Sequence, residues 1–415
     1  MLLGILKKVV ASRSGSAQNS KSLRTSSHHR AKYTVDQNLV PLDEVREIIE
    51  LPEFDAAATR KHQDPDSVEI PKQVLSELHG LVSGIAAMYR NNPFHNFSHA
   101  SHVVMSVIKL MSRIVAPSDM ELDQDKKLHD NSYGITSDPL TQFACAFSAL
   151  IHDVDHTGVS NAQLIKENNP LCAAYKHKSI AEQNSVDLAW NLLMADDYAS
   201  LRDLLFPTAK DLSRFRQLVV NVRHLRVSCV NNSYTDHCNP VLTFWFSFLS
   251  SQSVLATDII DKDLKDLRNA RWEKAFDKDD VNVEQDGRDA VNRKATIVIE
   301  HIIQASDISH CCQHWHVYRK WNRHLFEELY VAYLNGRMEK DPSDFWYKGE
   351  FGFFDFYIIP LTKKLKDCGV FGVSSDELLN YARKNREEWE AKGQEVVAEM
   401  VEECRKKYGV NVKGS

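Results

Sequence analysis

Residues 143–161 read FACAFSALIHDVDHTGVSN. Phe143 to His152 is a strongly apolar run without Gly or Pro, which fits a buried helix. Asp153 to Gly158 ends it, with four ionisable side chains at His152, Asp153, Asp155 and His156. Burying such a group costs several kcal/mol unless the charges are paired or bound to a metal. A salt-bridged helix end is the plainer alternative. Outward from this stretch, helical spacing recurs at Val74–Met88, His99–Val115, Leu188–Met194, Leu201–Phe206, Leu212–Val222, Ala295–Ser306, Val317–Leu334, Phe353–Leu365 and Glu377–Lys407. A further helical signal begins near Val45, and Ser118–Pro139 reads as a polar loop. Strand alternation with hairpin turn pairs is nearly absent. The pattern predicts an all-α, multi-helix domain over residues 41–411, with no internal repeat.

The chain has 415 residues, 43% of them apolar, and a net charge of −6. That balance excludes a mainly disordered chain and gives no broad basic surface for nucleic acid. The eight cysteines form no CxxC pair, so the thiols are expected reduced and the compartment intracellular. No run reaches the roughly 18 apolar residues of a membrane span; Val241–Leu249 is too short. Residues 1–35 carry seven basic residues and no acid. They fit a disordered basic tail or linker, placed at residues 1–40, and also a transit peptide. The expected location is cytoplasmic, with a membrane-anchored parent protein and mitochondrial targeting as alternatives.

One segment interrupts the helical pattern. If 223–253 is deleted, Leu218, Val222, Ala256, Ile260, Leu264 and Leu267 fall at steps of 4, 3, 4, 4 and 3, one continuous apolar stripe. Within 223–253 no charged residue follows Asp236 except His237, and its end, TFWFSFLSSQ, is what a pyrimidine-rich stretch closed by CAG encodes. The segment reads as a translated intron or recent insert; a genuine surface loop is the alternative.

Histidine is the unusual count, at 18. In NPFHNFSHASHV, His95 and His99 stand four apart, so on a helix they share a face. Pro93 and Asn91 put the helix start nearby, with His95 at a mobile end. Exposed or capped histidines are common at this spacing. In IIQASDISH, Asp307 follows a buried-looking helix; alone it reads as a cap or half an ion pair. Together His99, His152, Asp153 and Asp307 make a two-His, two-carboxylate set suited to Zn²⁺ with open positions. A second ion sharing Asp153 is expected to be harder and mostly water-ligated, as Mg²⁺ prefers.

Phe94-His95-Asn96 followed by His99 and Val103 resembles the opening signature of the class I 3′,5′-cyclic nucleotide phosphodiesterases. HDVDHTGVSN at 152–161 resembles their second block, with Thr157 where the family usually has Pro. Glu182 in KSIAEQNS, VLATD at 254–258, ASDISH at 305–310, Trp321 with Glu327 and Glu328, and GFFDFYIIPL at 352–361 also match, in family order across roughly residues 75–395. NPFHN, SDISH and Trp315 look most like the calmodulin-stimulated branch, though no calmodulin-binding helix is evident upstream. The resemblance implies an HD-type all-α phosphohydrolase fold and hydrolysis of cAMP or cGMP to the 5′-monophosphate, terminating a cyclic nucleotide signal. It implies that a hydroxide activated by Zn²⁺ and Mg²⁺ (or Mn²⁺) attacks phosphorus, while His95 protonates the leaving 3′ oxygen. His156, Asn161, Glu182 and Thr257 match positions that hold metal waters or orient ligands. Phe353 and Leu325 match the two walls of the purine slot, and His310 matches a residue of dual-specificity relatives. Glu350 falls where the family has a purine-binding glutamine. A carboxylate accepts only, whereas an amide donates and accepts, so altered purine selectivity is expected; a surface position for Glu350 is the alternative. NS at 184–185 stands where relatives often carry histidines, and HCCQHW at 310–315 replaces a proline-containing turn. Cys311 and Cys312 read as buried, inert thiols, with redox sensitivity the alternative. A homodimer is admissible. Competing functions are an HD-type nucleotidase and an inactive or misfolded product of the 223–253 insertion. Transcript sequencing checks the insertion: reads joining the codon for Val222 directly to that for Val254 are expected, and their absence contradicts it.

Overall fold

A computed structural model of the chain describes residues 1–13, 48–114, 124–177, 179–221, 272–273, 275–276, 287–372 and 375–409. All regular structure in them is helical, with no strand among the described residues. The longer helices are α1 (Leu2–Arg13), α2 (Lys72–Ala87), α3 (Phe97–Ser112), α4 (Gln124–Asn131), α5 (Pro139–Ile151), α6 (Asn161–Lys166), α7 (Ile180–Met194), α8 (Ala199–Leu205), α9 (Ala209–Asn221), α10 (Gly287–Asp307), α11 (Trp315–Leu334), α12 (Trp346–Phe353), α13 (Ile359–Asp367) and α14 (Glu377–Tyr408).

The apolar stretch that opens the sequence argument is the central helix. Asp138 caps α5 through the Thr141 N–H, and Pro139 occupies the first turn, where its missing donor costs nothing. From Phe143 to Ile151 every residue is buried. A helix apolar all round must be covered on all sides, and α1, α3 and α9 pack along it, with α10 against α3. Phe143, Phe147 and Phe206 gather on the buried Phe215 of α9, with ring centroids 4.6–6.1 Å apart. At α12, the helix opens into a π-helical turn over Phe354–Ile358 before α13 resumes, so the predicted single helix Phe353–Leu365 is two segments joined by a bulge.

Two expectations change. Residues 1–13, placed in a basic tail, form α1, whose Ile5, Leu6, Val9 and Ala11 are buried against α5. Arg13 donates to the Leu204 and Leu205 carbonyls at the end of α8, which satisfies carbonyls left without an intrahelical partner. Its lysines lie beside a short apolar stripe, so composition pointed to a tail while periodicity carried the helix. Within the expected loop 118–139, α4 forms. It carries only Leu128 as an apolar residue and so shows no stripe; His129 stacks near Phe54 at 5.3 Å and its carbonyl receives the Gly134 N–H. The rest of the 1–40 segment, the signal at Val45 and the 223–253 segment lie outside the described residues. No described helix is long and apolar enough to cross a membrane.

Leu6 is fully buried. Leu6→Ala is expected to lower unfolding free energy by about 2–4 kcal/mol, measured by denaturant titration. An unchanged midpoint contradicts the docking of α1.

Candidate active site

Three helix ends meet at the predicted metal set. Asn96 caps α3 by accepting the Ser98 and His99 N–H groups, which places His99 in the first turn. His152 and Asp153 follow the last residue of α5, and Asp307 is the last residue of α10. The C-terminal ends of α5 and α10 both present the negative pole of a helix dipole here, which favours a cation.

The donor atoms converge. His99 Nε2 lies 2.9 Å from Asp307 Oδ1 and 3.7 Å from Asp153 Oδ2. His152 Nε2 lies 3.0 Å from Asp153 Oδ2, 3.5 Å from Asp307 Oδ1 and 3.3 Å from His99 Nε2. Asp307 thus meets both imidazoles, and His99, His152 and Asp153 form a group able to hold a metal ion. Ligands bound at about 2.0–2.2 Å to a tetrahedral ion stand about 3.3–3.6 Å apart, so the closest of these contacts would open somewhat around a Zn²⁺-like ion. His152 Nδ1 donates to the Ala149 carbonyl at 2.9 Å, which fixes the ring and turns Nε2 inward. Burial opposes charge on His152, Asp153 and Asp307. The carboxylates Asp153 and Asp307 nonetheless raise the His152 pKa to about 10. The neighbouring histidines, in turn, hold both carboxyls below their ordinary range. The site therefore demands positive charge, which protons or a divalent ion can meet in competition.

His95 stands just before the α3 cap rather than on the helix, so it does not share a helical face with His99. It is 2% exposed and far from mobile. Glu328 of α11 accepts from His95 Nδ1, from the His95 N–H at 2.9 Å and from the Phe94 N–H at 2.9 Å. Burial lowers the His95 pKa, but Glu328, Asp153 and Asp307 outweigh it, and the net shift is upward. The imidazolium is thus favoured, with Nε2 buried and without a hydrogen-bond partner among the described residues. His156 lies against this ring, centroids 3.9 Å apart, and takes the Gly158 N–H on Nδ1.

The loop after α5 is held carbonyl by carbonyl. Ser185 Oγ donates to Val154 O at 2.7 Å, and Asn92 Nδ2 donates to both His156 O at 2.7 Å and His95 O at 3.1 Å. Asp155 has φ +60°, a left-handed conformation that Asp tolerates better than most residues. Arg90 and Asn184 grip its carboxylate at 2.7 and 3.2 Å, so Asp155 braces the loop. Asn161 Nδ2 donates to Glu182 Oε2 at 2.9 Å, and its carbonyl oxygen receives the Ala181 N–H.

The expected base-pocket residues are buried: Leu325, Phe353, His310 and Glu350. Glu350 is not a surface residue. Its Oε2 accepts from Tyr318 Oη at 2.5 Å. Asn322 reaches the same hydroxyl at 3.4 Å and accepts from Trp346 Nε1 at 3.1 Å. Burial pushes the Glu350 pKa up to about 7 against the hydrogen bonds from Tyr318 and Asn322. Phe353 stacks on Tyr357 at 5.6 Å. His310 packs among Phe94, His99 and Trp321, and burial lowers its pKa to about 3. Cys311 and Cys312 are buried, and burial pushes the Cys312 thiol up to about 12, so neither is a ready thiolate. Thr257 lies outside the described residues. Asn92 and Arg90 escaped the sequence reading, with a polar residue before Pro93 the only available signal; Asn184 and Ser185 were noted as a departure from the family, and the structure puts them on Asp155 and the Val154 carbonyl.

The chain is similar to known proteins along most of this frame. The model of the 3′5′-cyclic nucleotide phosphodiesterase family matches residues 94–222 and 245–370. The chain belongs to that family. A probable 3′,5′-cyclic-AMP phosphodiesterase of Caenorhabditis elegans is 24% identical over 318 residues, 73% of this chain and 38% of the relative. A cGMP-specific 3′,5′-cGMP phosphodiesterase of Dictyostelium discoideum is 26% identical over 118 residues, 28% of this chain and 22% of the relative. The matched stretches thus span well under half of these relatives. The crystal structure of the phosphodiesterase domain of Salpingoeca rosetta rhodopsin phosphodiesterase shares the fold, with TM-score 0.55 and 19% identity over 79% of this chain and 83% of that one.

Asp307→Ala removes one corner of the donor set. Metal analysis of the purified variant is expected to find at least about tenfold weaker zinc retention under graded chelator; retention equal to the parent contradicts the assignment.

Proposed function

We propose that this chain hydrolyses the 3′ ester of a 3′,5′-cyclic nucleotide to the 5′-monophosphate. The convergence of His99, His152, Asp153 and Asp307 beside the His95–Glu328 pair carries this reading. The first four residues would hold a Zn²⁺ ion. Asp153 would also serve a second, harder ion, Mg²⁺ or Mn²⁺, and by the resemblance His156, Asn161, Glu182 and Thr257 would hold its waters. Bound ions supply Lewis-acid stabilisation of the phosphoryl oxygens and a water of lowered pKa.

The chain's own groups supply the rest. Glu328 keeps Nδ1 protonated by accepting from it, and in the imidazolium that Glu328, Asp153 and Asp307 favour against burial the second proton sits on Nε2, from which it is delivered. An alkoxide leaves badly, and a positioned imidazolium can protonate the 3′ oxygen as the bond breaks. The orientation of His95 is set by three hydrogen bonds to one buried carboxylate, so little reorganisation remains at the moment of transfer. Phe353 and Leu325 sandwich the purine, and His310 lines the same side. The reaction ends a cyclic nucleotide signal in the cytoplasm. Nothing in the geometry favours a 5′-nucleotidase, which leaves Glu328 and the base pocket unused.

The family match breaks at 223–244, inside the 223–253 segment, which supports reading that segment as an insert. A chain lacking 223–253 is then expected to be at least as active as the full chain.

Glu350 sets the base edge. Tyr318 occupies Oε2 and Asn322 also reaches the carboxyl group; the purine is assigned to Oε1. Protonated, that oxygen donates to guanine O6; ionised, it accepts from the adenine N6 amine. Its pKa near 7 puts the change in the working range. As pH rises from 6 to 8, Glu350 loses its proton, so the cAMP:cGMP ratio of kcat/KM is expected to rise. In Glu350→Gln, which cannot titrate, the ratio is expected to be flat. Taking the ratio removes pH effects common to both substrates. A parent ratio that is flat, or that falls, would falsify the assignment of Glu350.

A further inference from the structure

Two helix stops lie on either side of the loop that follows Asp153. At the first, Gly336 has φ +70° and ends α11. Its N–H returns to Tyr333 O at 2.9 Å and the Arg337 N–H to Ala332 O at 2.9 Å, the paired bonds of a Schellman stop. This fixes the backbone of Arg337 on the helix that also carries Glu328. At the second, Glu167 ends α6 and Asn168 takes the left-handed position, with φ +52°. The Asn169 N–H returns to Leu164 O at 3.0 Å. Glu167 is thereby fixed on the helix that begins with Asn161.

The Arg337 guanidinium spans the gap between these stops. Nε and Nη2 each donate to a Glu167 carboxylate oxygen at 2.7 Å, and Nη1 donates to Thr157 O at 3.0 Å. A planar fork with three donors can hold a carboxylate and a carbonyl at once; an ammonium cannot hold that geometry. The pair is about 30% exposed, at 31% and 29%. An ordinary surface ion pair there contributes little to stability, so its third contact is the informative one. Thr157 follows His156 directly, and its φ is free where a proline would fix it. Gly158 comes next, with φ +74°, and a Cβ on it would lie 3.5 Å from Glu328 Cγ. The backbone here rests against the carboxylate that orients His95.

We propose that Arg337 is a positioning residue: by clamping the Thr157 carbonyl against Glu167, it sets the spacing between the His95–Glu328 pair and the loop that presents Asp153. The inference rests on the reading of His95 as proton donor. With the clamp released, the loop relaxes from Glu328, and the donor and the reacting phosphate lose register. Misplacement of this kind acts on the transition state more than on ground-state binding.

The full chain is assayed as Arg337→Ala and as the charge swap Glu167→Arg with Arg337→Glu. His95→Ala serves as reference. Arg337→Ala is expected to lower kcat about tenfold, to leave KM within about twofold and to keep the parent's metal content. The swap keeps an ion pair between the two stops but places no donor from residue 337 on Thr157 O. It is expected to recover the melting temperature and not kcat. Arg337→Ala with kcat within about twofold of the parent would overturn the proposal. So would a swap that restores kcat together with stability, or a kcat loss that follows metal loss. An active His95→Ala would overturn the proton-donor reading instead. An inactive His95→Ala beside an active Arg337→Ala would overturn the clamp alone.

Discussion

Two carboxylates, Asp153 and Asp307, each lie within 4 Å of the same two imidazoles, His99 and His152, at the meeting of three helix ends, and all four are buried. Each would be costly to bury alone. Here the carboxylates raise the His152 pKa and are themselves held low, and the two negative charges call for a cation. The apolar α5 exists to be buried, so its polar end must be resolved inside the protein. The histidine and the aspartate that meet it come from elsewhere in the chain, across 53 residues to His99 and over 150 to Asp307. The fold thus spends its most apolar helix on bringing a charged end into a dry place, where fixed dipoles act more strongly than in water.

Around this centre the polar groups divide into those that face the reaction and those that hold the backbone. Asp155 stands between two site residues in sequence, yet its carboxylate is turned to Arg90 and Asn184. Glu328 is distant in sequence, yet it makes three hydrogen bonds to the Phe94–His95 segment. Asn92 joins the His95 and His156 segments by donating to a carbonyl of each. The loop that carries Asp153 is held in place by side-chain donors to the carbonyls of Val154, His156 and Thr157.

The helices were legible because their apolar stripes repeat at helical spacing, and long buried segments such as α5 and α10 leave little alternative. The gathering of polar groups at the end of α5 was legible because adjacent His-Asp at the end of an apolar run has few inexpensive explanations. What failed to show has physical reasons. α4 buries no stripe, so periodicity is silent there. α1 was obscured by the lysines beside its short apolar face. His95 was expected at a frayed helix end, because sequence spacing cannot reveal a carboxylate that arrives from residue 328. Ser185, Asn92 and Arg337 act through backbone carbonyls, which leave no mark on composition or spacing. The burial of Glu350 was open in sequence terms, since a lone glutamate between aromatic residues fits a surface loop as well as a pocket.

Anomalous diffraction at the zinc edge from crystals of the zinc-loaded chain addresses the centre most directly. The account predicts one strong peak about 2.0–2.2 Å from His99 Nε2, His152 Nε2 and one carboxylate oxygen each of Asp153 and Asp307. A peak coordinated by other residues, or no peak among these four from metal-replete active protein, would contradict it.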